Sequence, residues 1–134
     1  MSDRSWKERI GDCLWGMTPD LDAVESIVAL SGVDQWQEAQ HQPLAVVYKH
    51  SPVCSLSAVT YQEIAKFAEQ NPTIPVYFVD VIGSRAVSSR IESDLAVRHE
   101  SPQVIVIAQG HACWHGSHTR VAHRSIAEAV STPC

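Results

Sequence analysis

The sequence predicts an α/β fold, a central mixed four-stranded sheet flanked by helices, in the order helix, β, α, β, α, β-hairpin, α. Three observations carry this reading. Two apolar runs, residues 43–48 and 73–82, each precede a stretch with helical periodicity. A third run, Val104-Ile105-Val106-Ile107, leads into the turn signal Gln109-Gly110-His111 and a short partner over 112–116. Strands alternating with helices imply right-handed parallel crossovers, and the closing hairpin makes the sheet mixed.

Each element has its own signal. Residues 1–20 read as an irregular or partly helical extension, with Cys13, Trp15 and Met17 needing some cover, and residues 21–134 as the folded domain. Over 21–30, Val24, Ile27 and Val28 fall at helical spacing, and Ser31-Gly32 can end that helix. A turn or two of helix over 33–40 is anchored by Trp36. Residues 43–48 form a buried strand. Leu56, Val59, Thr60, Ile64 and Phe67 then make one helical stripe, which Asn71-Pro72 stops. The continuous apolar character of 73–82 suits a central parallel strand covered on both faces. After Gly83, Ser84 can cap a helix presenting Val87, Ile91 and Leu95. A last helix carries Ala122, Ile126, Ala129 and Val130 and ends before Pro133.

Composition narrows the function. The 134 residues fit one domain, 45% are hydrophobic, and net charge is −5 with seven histidines counted neutral. No Lys/Arg cluster appears, which argues against a nucleic-acid partner. The first 20 residues lack the apolar core of a signal peptide, and no apolar run approaches the ~20 residues of a membrane span. A cytoplasmic protein with no membrane partner is expected. The four cysteines, at 13, 54, 113 and 134, are scattered without a C-x-x-C pair, so a structural disulfide framework is not expected.

Cys54 is the chemical focus. It stands between an apolar strand and a helix, at the start of Cys54-Ser55-Leu56-Ser57. The positive end of the helix dipole favours the thiolate there, and the thiolate is the nucleophile in disulfide exchange. Ser57, where a dithiol enzyme has its second cysteine, suggests one-thiol chemistry; it also reads as a first-turn residue bonding nearby backbone. Lys49 and His50 lie close enough in sequence to add positive charge, although Lys49 also reads as a surface residue and His50 as a solvated loop residue. Pro102 reads as a helix terminator.

The segment Lys49-His50-Ser51-Pro52-Val53-Cys54-Ser55-Leu56-Ser57 resembles the K-H-S-x-x-C-x-x-S signature of the monothiol bacilliredoxin family. Ser101-Pro102-Gln103 is similar to that family's S-P-Q before its third strand, and Trp114-His115-Gly116-Ser117-His118 to its W-H-x-S-H segment. The resemblance spans roughly residues 21–130. It implies a thioredoxin-like fold and an enzyme, a thiol-disulfide oxidoreductase of redox homeostasis and general stress. Such a protein removes bacillithiol from mixed disulfides on oxidised proteins. Cys54 would be the catalytic residue, and Lys49, His50, Ser51, Ser57, Ser101 and Pro102 would bind substrate. The Ser101–Pro102 bond would be cis, with the Ser101 backbone pairing with the substrate chain. The implied partners are S-bacillithiolated client proteins and bacillithiol, a co-substrate rather than a bound cofactor. A non-catalytic thioredoxin-like binding module or stress adaptor is the alternative.

His111, Cys113 and His115 form a second constellation, with His118 and His123 nearby. Alternate residues of a strand share a face, so the three could offer metal ligands. The reading preferred is a polar outer face of an edge strand, with Ala112 and Trp114 packed inward and no metal. Cys113 or Cys134 would make the mechanism two-thiol if either came within ~7 Å of Cys54. The terminal Cys134 reads as an incidental, mobile thiol.

Overall fold

The computed structural model describes residues 27–134. The extension over 1–20, Cys13 within it, and the first part of the expected helix over 21–30 lie outside the described residues.

Five strands form one sheet in the order β1-β3-β2-β4-β5. They are β1 (Ile27–Ala29), β2 (Ala45–His50), β3 (Val76–Asp80), β4 (Gln103–Ala108) and β5 (His111–Ser117). Four helices join them: α1 (Val33–Gln40), α2 (Leu56–Gln70), α3 (Arg85–Leu95) and α4 (His123–Ser131). β1 and β2 both run parallel to β3, β4 is antiparallel to β2, and β5 is antiparallel to β4. The α/β class and mixed sheet agree with the sequence reading. Among the described residues the sheet has five strands, not four.

The added strand corrects the expected helix over 21–30 at its described end, residues 27–30. Ile27 is buried, Val28 is exposed and Ala29 is intermediate, the period-2 pattern of a strand. Ile27, Val28 and Ala29 pair with Val76, Tyr77 and Phe78, and Leu30 N–H extends the ladder to the Phe78 carbonyl at 2.8 Å. Two β-branched residues beside an unpaired strand edge gain more from ladder bonds than from a helical turn. Ser31-Gly32 accordingly starts a helix rather than ending one. Gly32 is the N-cap of α1, and the Gln35 side-chain oxygen accepts from Ser31 N–H at 2.7 Å and Gly32 N–H at 3.2 Å.

The sheet is covered on both faces, as its apolar strands require. On one face Val46, Tyr48, Phe78, Val104 and Val106 pack against Tyr61, Ile64 and Phe67 of α2 and Ile126 of α4. On the other, Val47, Val79, Ile105 and Ile107 pack against Trp36 of α1 and Val87, Ile91 and Leu95 of α3. Polar ties join the helix pairs. Glu63 on α2 accepts from the His123 backbone N–H at 2.9 Å and lies 2.6 Å from its Nδ1, which caps α4. Trp36 Nε1–H donates to Asp94 at 2.9 Å, joining α1 to α3. α2 stops at Asn71, whose side-chain amide donates to the Phe67 carbonyl. Ser84 occupies the N-cap of α3, yet its side chain makes no capping bond.

The β4–β5 hairpin turns through Gln109 and Gly110, both at positive φ, a pairing that suits the strand twist. Among the described residues, no helix is long and apolar enough to cross a membrane.

Candidate active site

The ladder registers gather the motif residues at one end of the sheet. β2 ends at His50, which pairs with Asp80, the last residue of β3. Lys49 pairs with Gln103, the first residue of β4, and Gln103 pairs with Ser117, the last of β5. Four segments therefore leave the sheet together: 51–55, 81–84, 98–102 and 118–120. They hold Cys54, the Ser101–Pro102 peptide and His118.

Cys54 is half-buried and free, one residue before the N-cap of α2, Ser55. Its N–H donates to the Ser51 carbonyl at 3.3 Å, and its own carbonyl accepts from Ser57 N–H at 3.0 Å. This local bonding places the thiol at the positive end of α2. Beside it, Val53 is 80% exposed. Ser51 and Ser57 are buried. Ser57 has no hydrogen-bond partner for its hydroxyl among the described residues.

The Ser101–Pro102 bond is cis, and the buried Pro102 carbonyl accepts from His118 N–H at 2.9 Å. His118 takes a positive φ of 56° at that junction. The W-H-x-S-H segment is thus tied through backbone to the S-P-Q segment. Pro102 immediately precedes β4 and stands seven residues beyond the end of α3 at Leu95, so it does not terminate that helix.

His50 is not a solvated loop residue. It is 1% exposed, and its ring packs against Phe78, Tyr48 and Tyr61. Its Nδ1 lies 2.9 Å from the Tyr48 hydroxyl, which lies 2.9 Å from Thr60 Oγ1. Its Nε2, like the hydroxyl of Tyr61, has no hydrogen-bond partner among the described residues. Burial pulls the imidazole down to about 4, against the opposing pull of the Asp80 carboxylate. His50 is therefore uncharged at neutral pH and does not supply the positive charge that its sequence position suggests.

Lys49 is not a surface residue either. It is fully buried and faces the opposite side of the sheet, with Nζ 3.2 Å from His99 Nδ1. The same Nδ1 is 3.3 Å from Ser88 Oγ. Burial draws the Lys49 ammonium down to about 8, with Glu92 pulling it back up. Burial and the Lys49 charge lower His99 in turn. Sequence reasoning missed His99, Ser88 and Glu92 because they lie 39–50 residues from Lys49, beyond any local pattern. Tyr48 was legible in principle, since residues two apart in a strand share a face.

The second constellation does not assemble. A bulge between Val106 and Ile107 interrupts the β4–β5 register. Paired residues share a face, so His111, opposite Ala108, and His115, opposite Ile105, lie on opposite faces. Trp114 and Ala112 likewise pack against different halves of the core. Among the described residues, no group of three His, Cys, Asp or Glu could hold a metal ion. Cys113 instead forms a disulfide with Cys134, with a Cα–Cα distance of 5.2 Å. This corrects the expectation of no structural disulfide and of an incidental Cys134. The pairing joins a bulge residue to the chain end, and the spacing of scattered cysteines carries no sign of it.

Comparison with known proteins accords with this geometry. The family model for the monothiol bacilliredoxin BrxC matches residues 25–126. A solved protein provisionally described as an oxidoreductase with a thioredoxin fold shares 30% identity, with a TM-score of 0.73 over 78% of this chain and 93% of that one. Thioredoxin from Trypanosoma brucei brucei aligns at 16% identity and TM-score 0.67 over 79% of this chain and 92% of its own. Mitochondrial thioredoxin 3 from Saccharomyces cerevisiae aligns at 13% and 0.64 over 81% and 96%. These two likenesses speak to the fold alone. The fold is thioredoxin-like, and the family match covers the cysteine loop, the cis-proline and the terminal hairpin together: the chain belongs to the monothiol bacilliredoxin family.

Proposed function

We propose that this protein removes bacillithiol from protein mixed disulfides by one-thiol exchange at Cys54. The observation that carries the reading is that Cys54 is the free cysteine among the described residues, half-exposed at the head of α2, while Cys113 and Cys134 are bonded to each other. Ser57 stands where a local resolving thiol would be, and it is buried.

The Cys54 thiolate attacks the bacillithiol sulfur of the mixed disulfide. A bond forms between Cys54 Sγ and that sulfur, the original S–S bond breaks, and the client leaves as a thiolate that takes a proton from solvent. A second thiol, from another bacillithiol or a small reductase, then attacks the Cys54-bound bacillithiol. Cys54 is regenerated and the second thiol ends in a disulfide, so the client's reduction is balanced by that thiol's oxidation. Amides at the start of α2 would stabilise the attacking thiolate. The Ser101 backbone would pair with the client chain, and Val53 would meet it from the other side. The reaction needs no bound cofactor, and a cytoplasmic setting with oxidised client proteins would supply the substrate.

The test is intact-mass spectrometry of the reduced protein after incubation with a bacillithiolated model protein, beside Cys54→Ser. Transfer of one bacillithiol to Cys54, absent in the variant, is expected. Client release with a new internal disulfide involving Cys54 would replace the scheme by a two-thiol one. No transfer, with client binding that survives Cys54→Ser, would favour the adaptor reading.

A further inference from the structure

A pocket of about 310 Å³ lies on the α3 side of the site, lined by Val81, Arg85, Ser88, Ser89, Glu92 and His99. Val81 follows the last residue of β3, and His99 precedes the cis peptide by two residues, so the pocket is at the Cys54 end of the sheet. Lys49 sits behind its His99 wall, fully buried.

Hydrogen-bond roles here follow from donor inventory. An ammonium can only donate, so His99 Nδ1 must accept from Lys49, and the ring proton resides on Nε2. That leaves Nε2–H as a donor directed away from Lys49. Lys49 has three N–H groups, and among the described residues His99 Nδ1 is its one hydrogen-bond partner, with no carboxylate at salt-bridge distance. A buried cation so thinly compensated is costly unless an anion shares its surroundings. Glu92 is the carboxylate in the pocket wall, and one of its oxygens accepts from His99 backbone N–H at 2.7 Å. Exposed Glu100 also acts on His99. In the pocket wall Arg85 balances Glu92, and the Lys49 ammonium buried behind His99 supplies the net positive charge.

We infer that this pocket is a binding subsite for a small oxyanion, a carboxylate or phosphate group. It would be held by His99 Nε2–H, the Arg85 guanidinium and the Ser89 hydroxyl, with the Lys49 charge behind them, while the buried Ser88 hydroxyl donates to His99 Nδ1. The inference stands apart from thiol exchange at Cys54, since anion binding needs no reactive sulfur.

The test is an amide and histidine-ring NMR titration at pH 7 and constant ionic strength. Sodium malate and sodium phosphate are the probes and sodium chloride the control. Saturable shifts at Arg85, Ser88, Ser89 and His99 are expected with malate, phosphate or both. Stronger binding of malate would identify a carboxylate ligand, and stronger binding of phosphate a phosphoryl one. Arg85→Ala, at an exposed position that leaves the core intact, should weaken binding about tenfold, the loss of one charge-assisted contact. Lys49→Met should weaken it similarly. Non-saturating shifts matched by chloride, or binding unchanged in Arg85→Ala, would overturn the inference. The titration gives the same answer in Cys54→Ser, so its failure is separate from a failure of thiol exchange.

Discussion

Lys49 and His50 are adjacent in β2 and serve opposite halves of the core. His50 packs against Tyr61 and Phe78 beneath α2, while Lys49 reaches His99 beside α3. Both are buried, and burial pushes both toward the neutral form. Strand alternation turns one motif into two separate sites.

For His50 the consequence is acid sensitivity. Its folded pKa of about 4 lies below the ordinary histidine value of 6.5, so between those pH values the unfolded chain holds more protons. The stability it contributes is full above about 6.5 and is lost as pH falls toward 4. The span corresponds to about 3 kcal/mol. Urea melts of wild type and His50→Gln across pH 4–7 should show a shallower slope in the variant. Equal slopes would mean that His50 does not titrate as a buried group.

Lys49 acts in the alkaline range. Its folded value of about 8 lies below 10.5, so stability should rise with pH across that window, by about 3 kcal/mol at most. Lys49→Met removes the rise and should cost little stability at pH 7, because a buried cation is exchanged for an apolar group of similar shape. Thermal melts from pH 7 to 10.5 check both statements.

The Cys113–Cys134 bond closes a loop with a sequence separation of 21. Loop-closure entropy puts its contribution at about 3 kcal/mol. Cys134→Ser should therefore lower the urea midpoint of the oxidised protein. Added dithiothreitol should bring wild type to the variant's midpoint. A wild-type midpoint indifferent to reductant would show the bond to be absent in solution.

Gly116 leaves room for the Trp114 ring. A Cβ there would lie 2.8 Å from Trp114 Cη2 and 3.3 Å from Arg120 Cβ. Gly116→Ala should cost about 1–3 kcal/mol, as overpacking does. It should also shift the tryptophan emission, because the ring must move away from β5. Unchanged stability would show that Trp114 yields freely.

Sequence alone was sufficient for the α/β class, the strands β2 to β5 and the position of Cys54. Apolar periodicity and breakers such as Asn71-Pro72 are local signals, and the motif around Cys54 is contiguous. Tertiary structure decided what local patterns do not carry. Ile27–Ala29 became a strand because the edge of β3 offers ladder bonds. His111 and His115 separated because a bulge resets the alternation. Cys113 met Cys134 because α4 returns the chain end to β5. Lys49 and His50 changed from apparent surface charges to buried groups because their strand is covered on both faces. Apart from the hairpin bulge, the deciding partner is remote in sequence, and for Lys49 and His50 burial rather than residue type sets the chemistry.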